Sequence, residues 1–309
     1  MFAIVVVTGI AASCSSSRGR PAVVDDGTCG TTCGGSCSSG VCEVPLTSAN
    51  CAAVDDTGLY YSSGDYVASI PSGGAAMTTL ASAQNGPCVV ALDATNVYWL
   101  TADGMLVSAP KGGGPGTTLV SGLGALNGIA VDGTNAYWTN GAGTVMKAPF
   151  GGGAFVTLAT EEPSPMVIVV DDQSVYWTNG PRGTVEKVSK DGGAVTTLAE
   201  NQDYPWPLAV DTTNVYWANQ LPSAVMTMSK GGGAVTSLGA GQGALYGIAV
   251  DDTSVYWTVF ESVMQAPRTG GAATTIPSLA GTVPTGVAVN ATGLYWLDDE
   301  GSVTRVTPK

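Results

Sequence analysis

The sequence contains no histidine among its 309 residues. Histidine is the commonest general base and metal-binding side chain near neutral pH, so catalytic triads built on it and imidazole metal sites are excluded. Basic residues are scarce as well, since 11 Lys and Arg stand against 24 Asp and Glu and give a formal net charge of −13. A chain with that charge repels phosphate backbones, so the sequence predicts no nucleic-acid partner.

Charged side chains make up only 11% of the chain, whereas hydrophobic residues make up 44%. That balance provides a sizeable core and argues against disorder over most of the chain. The 43 glycines follow no collagen-like period, so they indicate many short strands joined by tight turns.

The first 13 residues form an apolar run that is too short to span a bilayer and ends in small residues. This pattern predicts a signal peptide over residues 1–13, and hence export. The stretch from Ala11 to Cys14 resembles the lipobox of bacterial lipoproteins, which implies a lipid anchor on Cys14 as the only membrane contact. The predicted location is the cell envelope, at the outer membrane or in the periplasm. A plain secretory signal and an apolar tail without a targeting role are the alternatives.

Six further cysteines, an even number, predict three disulfides in an exported chain. The candidates are Cys29, Cys33, Cys37, Cys42, Cys51 and Cys88. A zinc site is the alternative, but the chain has no C-x-x-C pair, so no metal is predicted. Residues 14–42 are rich in Gly, Ser and Cys and are predicted to form a flexible tether stapled by disulfides.

One motif recurs seven times along the rest of the chain: an aliphatic pair, then Asp, then Tyr five residues later. The copies are Asp55/Tyr60, Asp93/Tyr98, Asp132/Tyr137, Asp171/Tyr176, Asp211/Tyr216, Asp251/Tyr256 and Asn290/Tyr295. Successive copies are 38 to 40 residues apart, and Trp follows the Tyr in every copy but the first, where Tyr61 stands. Self-similarity at this period predicts a repeat fold.

Turns containing Gly and Asp divide each copy into four short runs rich in Val, Thr, Tyr and Trp, a pattern typical of antiparallel strands. A single four-stranded sheet cannot bury both of its faces, whereas seven sheets packed radially can. The sequence therefore predicts an all-β, seven-bladed β-propeller over residues 43–309, with the Tyr-Trp pairs filling the layers between blades. We expect this propeller to be a monomer.

The seventh copy has only three strands before the end of the sequence at Lys309. Its outer strand is predicted near the amino terminus, because residues 43–48 resemble the outer-strand pattern of residues 77–81. Such a strand would join the two chain ends and leave no open edge in the ring.

The motif resembles the YWTD repeats of the LDL-receptor family and related NHL-type propellers. The matching tetrapeptides are YWTN at 137–140 and 176–179, YWAN at 216–219, YWTV at 256–259 and YWLD at 295–298. The resemblance extends over residues 51–309 and implies a propeller architecture, which supports binding, lyase, hydrolase and scaffold functions alike.

Ligands of propellers usually bind on the face formed by two sets of loops. One set joins each outer strand to the next inner strand, and the other joins the second strand to the third. On this face the sequence places aromatic and acidic residues suited to sugars, peptides or a cationic surface. The candidate binding residues are Trp206, Tyr204, Tyr246, Phe260, Glu261, Glu161 and Glu162. The alternative is that Trp206 and Tyr246 only cover the channel or pack against neighbouring loops.

The repeated Asp allows a calcium interpretation, but a side chain that caps its own turn explains the recurrence without a metal. Four basic residues recur beside Gly-Gly turns and are predicted to be solvated hairpin ends. These residues are Lys111, Lys190, Lys230 and Arg268.

The inner strands contain AAVD, VALD, IAVD, IVVD, LAVD, IAVD and VAVN. Catalytic propellers carry metal-binding or acid–base groups around the central channel, and these strand interiors offer no carboxylate, amide or basic side chain. A resemblance to lactonase-type or lyase-type propellers therefore lacks the residues that those activities need. The sequence predicts no catalytic residue and no cofactor.

Together these features predict a non-catalytic binding or scaffolding module of the cell envelope with a protein or carbohydrate partner. An enzyme that acts on an envelope polysaccharide or peptide through Glu161, Glu162 and Glu261 is one alternative. A purely structural surface protein is the other.

Overall fold

All regular secondary structure in the described part of the chain is β-strand. The structure is a computed structural model, and it describes residues 37–38, 41–44, 51–72, 77–124, 126–151, 153–240, 243–277, 282–291, 293–299 and 302–306. Within those ranges no helix is present that could cross a membrane. The strands form seven antiparallel sheets arranged as the blades of a β-propeller, which confirms the predicted fold.

Blades 1 to 6 have four strands each, and the first strand of each blade lies at its inner edge. Blade 1 contains β3 (Cys51–Asp55), β4 (Gly58–Ser63), β5 (Tyr66–Pro71) and β6 (Thr78–Ala81). Blade 2 contains β7 (Cys88–Leu92), β8 (Asn96–Leu100), β9 (Leu106–Pro110) and β10 (Thr117–Val120). Blade 3 contains β11 (Leu126–Val131), β12 (Asn135–Asn140), β13 (Val145–Pro149) and β14 (Val156–Ala159).

The next three blades repeat this order. Blade 4 contains β15 (Pro165–Val170), β16 (Ser174–Asn179), β17 (Thr184–Ser189) and β18 (Thr196–Ala199). Blade 5 contains β19 (Leu208–Val210), β20 (Asn214–Gln220), β21 (Ser223–Ser229) and β22 (Thr236–Ala240). Blade 6 contains β23 (Ile248–Val250), β24 (Ser254–Val259), β25 (Ser262–Pro267) and β26 (Thr274–Pro277).

Blade 7 is completed by the amino-terminal part of the chain. It contains β27 (Pro284–Val289), β28 (Leu294–Asp298), β29 (Val303–Val306), β2 (Val41–Val44) and β1 (Cys37–Ser38), in that order from the inner edge. The strand β2 pairs antiparallel with β29, from Val41 opposite Val306 to Val44 opposite Val303. The predicted closing strand is therefore confirmed, although it begins two residues earlier than the sequence pattern indicates. Residues 45–48 of the predicted strand lie outside the described residues.

The Tyr-Trp pairs fill the layers between neighbouring blades, as predicted. Successive residues of a strand point to opposite faces, so the Tyr of one blade meets the Trp of the next. Tyr137 of blade 3 and Trp177 of blade 4, for example, belong to one buried cluster. All six Trp side chains that follow a repeat Tyr are at most 1% exposed.

The layer between blades 1 and 7 is packed less completely than this pattern requires. Blade 1 has Tyr61 where the other blades have Trp, and Ala52 where blades 3 and 4 have Ile129 and Ile168. An apolar cavity of about 10 Å³ lies here, lined by residues of both blades that include Ala52 and Tyr295. Tyr61 and Ala52 are smaller than the residues they replace, so this space in the interface that closes the ring is left unfilled.

We call the face that carries the turns between first and second strands the lower face. There each repeat Asp caps its own turn, as predicted: Oδ1 of Asp171 accepts hydrogen bonds from the backbone N–H groups of Gln173 (2.8 Å) and Ser174 (2.7 Å). In blades 2 to 6 the other oxygen, Oδ2, accepts a hydrogen bond from the repeat Tyr, at 2.9 Å for Tyr176. The described residues contain no group of three or more Cys, Asp or Glu side chains that could hold a metal ion.

The basic residues beside the Gly-Gly turns are not solvated hairpin ends, and that prediction is wrong. Each forms an ion pair with the repeat Asp of the preceding blade, and their side chains are only 10–20% exposed. The pairs are Lys111–Asp55, Lys190–Asp132, Lys230–Asp171 and Arg268–Asp211. Because the repeat brings each such turn beside the neighbouring blade's Asp, these cations link consecutive blades.

Removal of the charge from one such Asp is expected to weaken the link between two blades. Burial alone would raise the pKa of Asp132, but hydrogen bonds from Lys190 and Tyr137 outweigh it and hold that pKa well below its ordinary value. Asp132→Asn can retain the turn cap, as Asn290 does in blade 7, while leaving Lys190 without its counterion. We expect a loss of about 2 kcal/mol in the free energy of unfolding at neutral pH.

Urea denaturation measures this loss. The matched control is Asp172→Asn, because Asp172 lies in a lower-face turn of blade 4, directly after the repeat Asp171, and its side chain is exposed. The control should change the free energy of unfolding by less than about 0.5 kcal/mol. Equal effects of the two substitutions would show that the ion pair does not link the blades.

Candidate functional site

The opposite face, which we call the upper face, is formed by the two sets of loops on which ligands were predicted to bind. Three large apolar side chains are exposed there: Tyr204 (44%), Leu221 (77%) and Phe260 (62%). We call these three residues the apolar patch. Leu221 is at the tip of the β20–β21 hairpin in blade 5, and Phe260 is at the tip of the β24–β25 hairpin in blade 6. Because blades 5 and 6 are neighbours, the patch occupies one side of the upper face.

A glutamine at the end of β20 holds the loops around the apolar patch in place. The side-chain amide of Gln220 donates hydrogen bonds to the backbone carbonyls of Trp206 and Leu245, each at 2.6 Å. The loop that precedes blade 5 and the loop that precedes blade 6 are therefore fixed on either side of the hairpin that carries Leu221. Pre-ordered loops of this kind lower the entropic cost of binding.

The predicted aromatic residues fall into two groups. Tyr204 is exposed, and its ring lies over Gly180 of blade 4, where an added Cβ would be 3.2 Å from the ring. Trp206 is half-buried and packs against the core layer between blades 4 and 5, so most of its surface is used in packing. Tyr246 is also half-buried, next to Leu245. The alternative interpretation, packing against neighbouring loops, therefore describes Trp206.

The predicted acidic residues fall into two groups as well. Glu161 and Glu261 are exposed on the upper face. Glu162 is only 5% exposed, and its carboxylate accepts hydrogen bonds from Trp177 Nε1 (3.3 Å) and Asn179 Nδ2 (2.7 Å). Gln84 and Gln202 accept the corresponding Trp hydrogen bond in blades 2 and 5. Glu162 thus lies beneath the surface, at the position of the repeat that accepts the hydrogen bond of the Trp side chain.

Blade 4 carries a second buried carboxyl group beside Glu162. Glu186 is 2% exposed, and it stands opposite Trp177 in the strand pair β16–β17, where blades 3 and 5 have Met146 and Met226. Burial, together with a hydrogen bond and charge repulsion from Glu162, raises the pKa of Glu186 to about 7. A second negative charge beside Glu162 is costly in this buried position, so the protonated form of Glu186 is favoured. Because both side chains are buried, a substrate on the surface does not reach them.

The inner strands carry an amide side chain that the sequence patterns missed. β11 begins at Leu126, so it includes Asn127, whose Nδ2 donates a 2.8 Å hydrogen bond to the carbonyl of Pro165. This amide ties blade 3 to blade 4. The prediction that the inner strands hold no amide is therefore wrong for β11, and no carboxylate or basic side chain lies in the described inner strands away from the closing turn residue.

The cysteine predictions fall largely on side chains outside the described residues. Cys51 is buried in β3, and Cys88 is exposed at the start of β7 with no disulfide partner among the described residues. The lipid on Cys14 and the three disulfides remain predictions.

The fold defines the chain as a seven-bladed β-propeller, and its upper face exposes the apolar patch. No protein-family model matches the sequence, and no curated protein matches it. Among solved structures, a propeller in a nidogen–laminin complex is 19% identical, with a TM-score of 0.54, over 66% of this chain and 85% of that one. This likeness supports the predicted YWTD-like repeat.

Two lyases have similar folds. A streptogramin B lyase is 9% identical with a TM-score of 0.72, over 86% of this chain and 97% of that one. The virginiamycin B lyase from Staphylococcus aureus is 12% identical with a TM-score of 0.69, over 87% of this chain and 99% of that one. At these identities the similarity shows the fold alone.

Proposed function

We propose that this chain is a non-catalytic binding module of the cell envelope, which binds its partner through the apolar patch. The exposure of Leu221 (77%) and Phe260 (62%) at the tips of adjacent hairpins carries the proposal. Turn tips in a monomer are normally polar, and exposed apolar groups gathered on one face mark interaction surfaces. The Gln220 amide, which bonds the carbonyls of Trp206 and Leu245, fixes the loops beside the patch.

Two observations favour binding over catalysis. Glu162, one of the three acidic residues that an enzyme mechanism would use, is buried under the surface and hydrogen-bonded to Trp177 and Asn179. The exposed Glu161 and Glu261 belong to loops of different blades, since Glu161 precedes blade 4 and Glu261 lies in blade 6. Glycoside hydrolysis commonly uses two carboxyl groups that flank a single bond, and with Glu162 buried only these two exposed groups, from different loops, remain for that role.

The substitution of both hairpin tips is expected to weaken partner binding strongly without affecting the fold. Each large apolar side chain buried in an interface contributes about 1.5 kcal/mol or more, so Leu221→Ser with Phe260→Ser should weaken binding about 100-fold. The measurement is quantitative capture of a partner from envelope extracts, followed by titration of that partner with the purified variants.

The matched control replaces two exposed valines on the outer side of the ring, Val156→Ser with Val195→Ser. This control should bind the partner as the unaltered chain does, and both variants should keep the melting temperature. Unchanged capture by the hairpin-tip variant would refute the role of the patch.

The envelope location in this proposal depends on the lipid predicted for Cys14. We expect Cys14→Ser to move the chain from the membrane pellet to the soluble fraction after cell lysis, because the anchor is its only membrane contact. Fractionation with immunodetection measures this, and Cys88→Ser is the control. Retention of the Cys14→Ser variant in the pellet would argue against a lipid anchor.

A further inference from the structure

We propose that the upper face docks a cationic protein or peptide that presents apolar side chains between its positive charges. This inference rests on the binding function proposed above and adds the chemistry of the partner. It follows from the way the fold separates charge between its two faces, together with the position of the apolar patch.

The described cations are concentrated at the lower face. Lys111, Lys190, Lys230 and Arg268 are held in ion pairs with the repeat Asp residues. Lys147, Lys187 and Arg305 donate hydrogen bonds to backbone carbonyls of lower-face loops, those of Lys190 (3.0 Å), Lys230 (2.6 Å) and Ser72 (2.9 Å). Arg182, in the β16–β17 turn, is the single described cation on the upper face.

Exposed carboxylates lie on six of the upper-face loops in the described part of the chain. They are Asp65, Asp103, Glu161, Glu200, Asp203, Glu261 and Asp299. Against these seven groups stands the one guanidinium of Arg182. The lower-face turns of the described chain carry ten carboxylates, the repeat Asp residues included, but seven cations face them there. The excess of negative charge is therefore larger on the upper face. A partner with the complementary positive charge would be steered to this face.

Three of these seven carboxylates, Glu200, Asp203 and Glu261, lie in the loops that carry Tyr204 and Phe260. Asp203 precedes Tyr204 in the chain, and Glu261 follows Phe260. Apolar tips flanked by carboxylates fit a surface in which apolar side chains alternate with Lys or Arg. The same charges repel anionic lipid headgroups and acidic polysaccharides, so the fit favours a basic protein or peptide over both.

The test uses the full chain and two synthetic peptides of equal length and leucine content, one with lysine and the other with glutamate at the polar positions. Vesicles of anionic phosphatidylglycerol serve as a third probe. We expect binding of the lysine peptide, weakened by salt because surface charge pairs are screened, and no binding of the glutamate peptide or the vesicles.

Two triple variants locate the binding charges, because each changes the net charge of the chain by the same amount. Glu200→Lys, Asp203→Lys and Glu261→Lys alter the upper face, whereas Asp172→Lys, Asp191→Lys and Asp252→Lys alter exposed positions of the lower face. The upper-face variant should lose about tenfold in affinity for the lysine peptide, as expected for three surface charge pairs. The lower-face variant should lose much less.

Equal losses in the two triple variants would overturn the inference, because they would show that net charge alone attracts the peptide. Binding of the glutamate peptide or of the vesicles would overturn it as well. The hairpin-tip variant, Leu221→Ser with Phe260→Ser, separates this inference from the proposed function. If that variant loses its envelope partner while the upper-face charge variant binds it normally, the binding function stands and the cationic partner does not.

Discussion

A chain that begins at Asn50 is expected to unfold about 10 °C below a chain that retains the amino-terminal strand. β2 supplies the outer strand of blade 7 and pairs with β29 over four residue positions. Loss of about four backbone hydrogen bonds, at about 1 kcal/mol each, costs about 4 kcal/mol, which corresponds to a shift of roughly this size in a domain of this length. The ring would then be held between blades 7 and 1 by the layer that contains the apolar cavity.

Thermal denaturation measured by circular dichroism tests this expectation. The control is a chain that begins at Cys37, which keeps β1 and β2 but removes the residues before them. Both chains should be compared under reducing conditions, so that loss of a predicted disulfide does not contribute. The shorter chain should also self-associate, because β29 would present an unpaired edge. Equal melting temperatures would mean that β2 does not close the ring.

The second large effect concerns the buried carboxyl pair in blade 4, where Glu186→Met is expected to stabilise the protein at alkaline pH. Burial and Glu162 raise the pKa of Glu186 to about 7 in the folded chain, above the ordinary value of 4.5. The folded state therefore keeps a proton that the unfolded state has lost between these pH values, so the unaltered protein loses stability as pH rises from about 4.5 to about 7. The accumulated cost is about 3 kcal/mol.

Guanidinium denaturation of both proteins between pH 4 and pH 8 measures this cost. The two should have similar stability at pH 4, where Glu186 is protonated in both states, and Glu186→Met should gain about 3 kcal/mol by pH 8. Methionine is the residue that blades 3, 5 and 6 place at this position, as Met146, Met226 and Met264, so it suits the packing.

The control for this experiment is Glu161→Gln, which removes an exposed carboxylate next to Glu162 and should leave the pH dependence unchanged. Glu162→Gln, which places here the residue type of Gln84 and Gln202, should reduce the pH dependence because it removes the repulsion, while the burial of Glu186 retains the rest. A pH profile of Glu186→Met parallel to that of the unaltered protein would show that the pair carries no such cost.

Much of the architecture could be predicted from the sequence because its determinants are local. The repeat Asp and Tyr lie five residues apart, so the turn cap and the Tyr hydrogen bond, as in Asp132 and Tyr137, form within a single turn and strand. Adjacent Tyr and Trp in one strand must face opposite sides of the sheet, so their burial between blades follows from the fold. The closing strand could be recognised because the seventh repeat lacks its outer strand and residues near the amino terminus match the pattern of that strand.

The candidate site was predicted less well, because exposure depends on the neighbouring blades. Phe260 and Tyr204 are exposed as expected, whereas Trp206 packs into the layer between blades 4 and 5 and Glu162 is buried against Trp177. Leu221 was missed, although the sequence contains a signal for it. An apolar residue and a proline form the two-residue turn between β20 and β21, where a polar turn is usual.

The sequence by itself determined the number of blades, their strands, the turn caps and the aromatic layers, since each depends on a pattern within one repeat of about 40 residues. The tertiary structure alone decided which charges meet and which side chains are covered. Lys230 and Asp171 are 59 residues apart and meet only because the ring sets blade 5 beside blade 4. The raised pKa of Glu186 likewise depends on the folded structure, because its largest cause is burial, which a sequence pattern does not show.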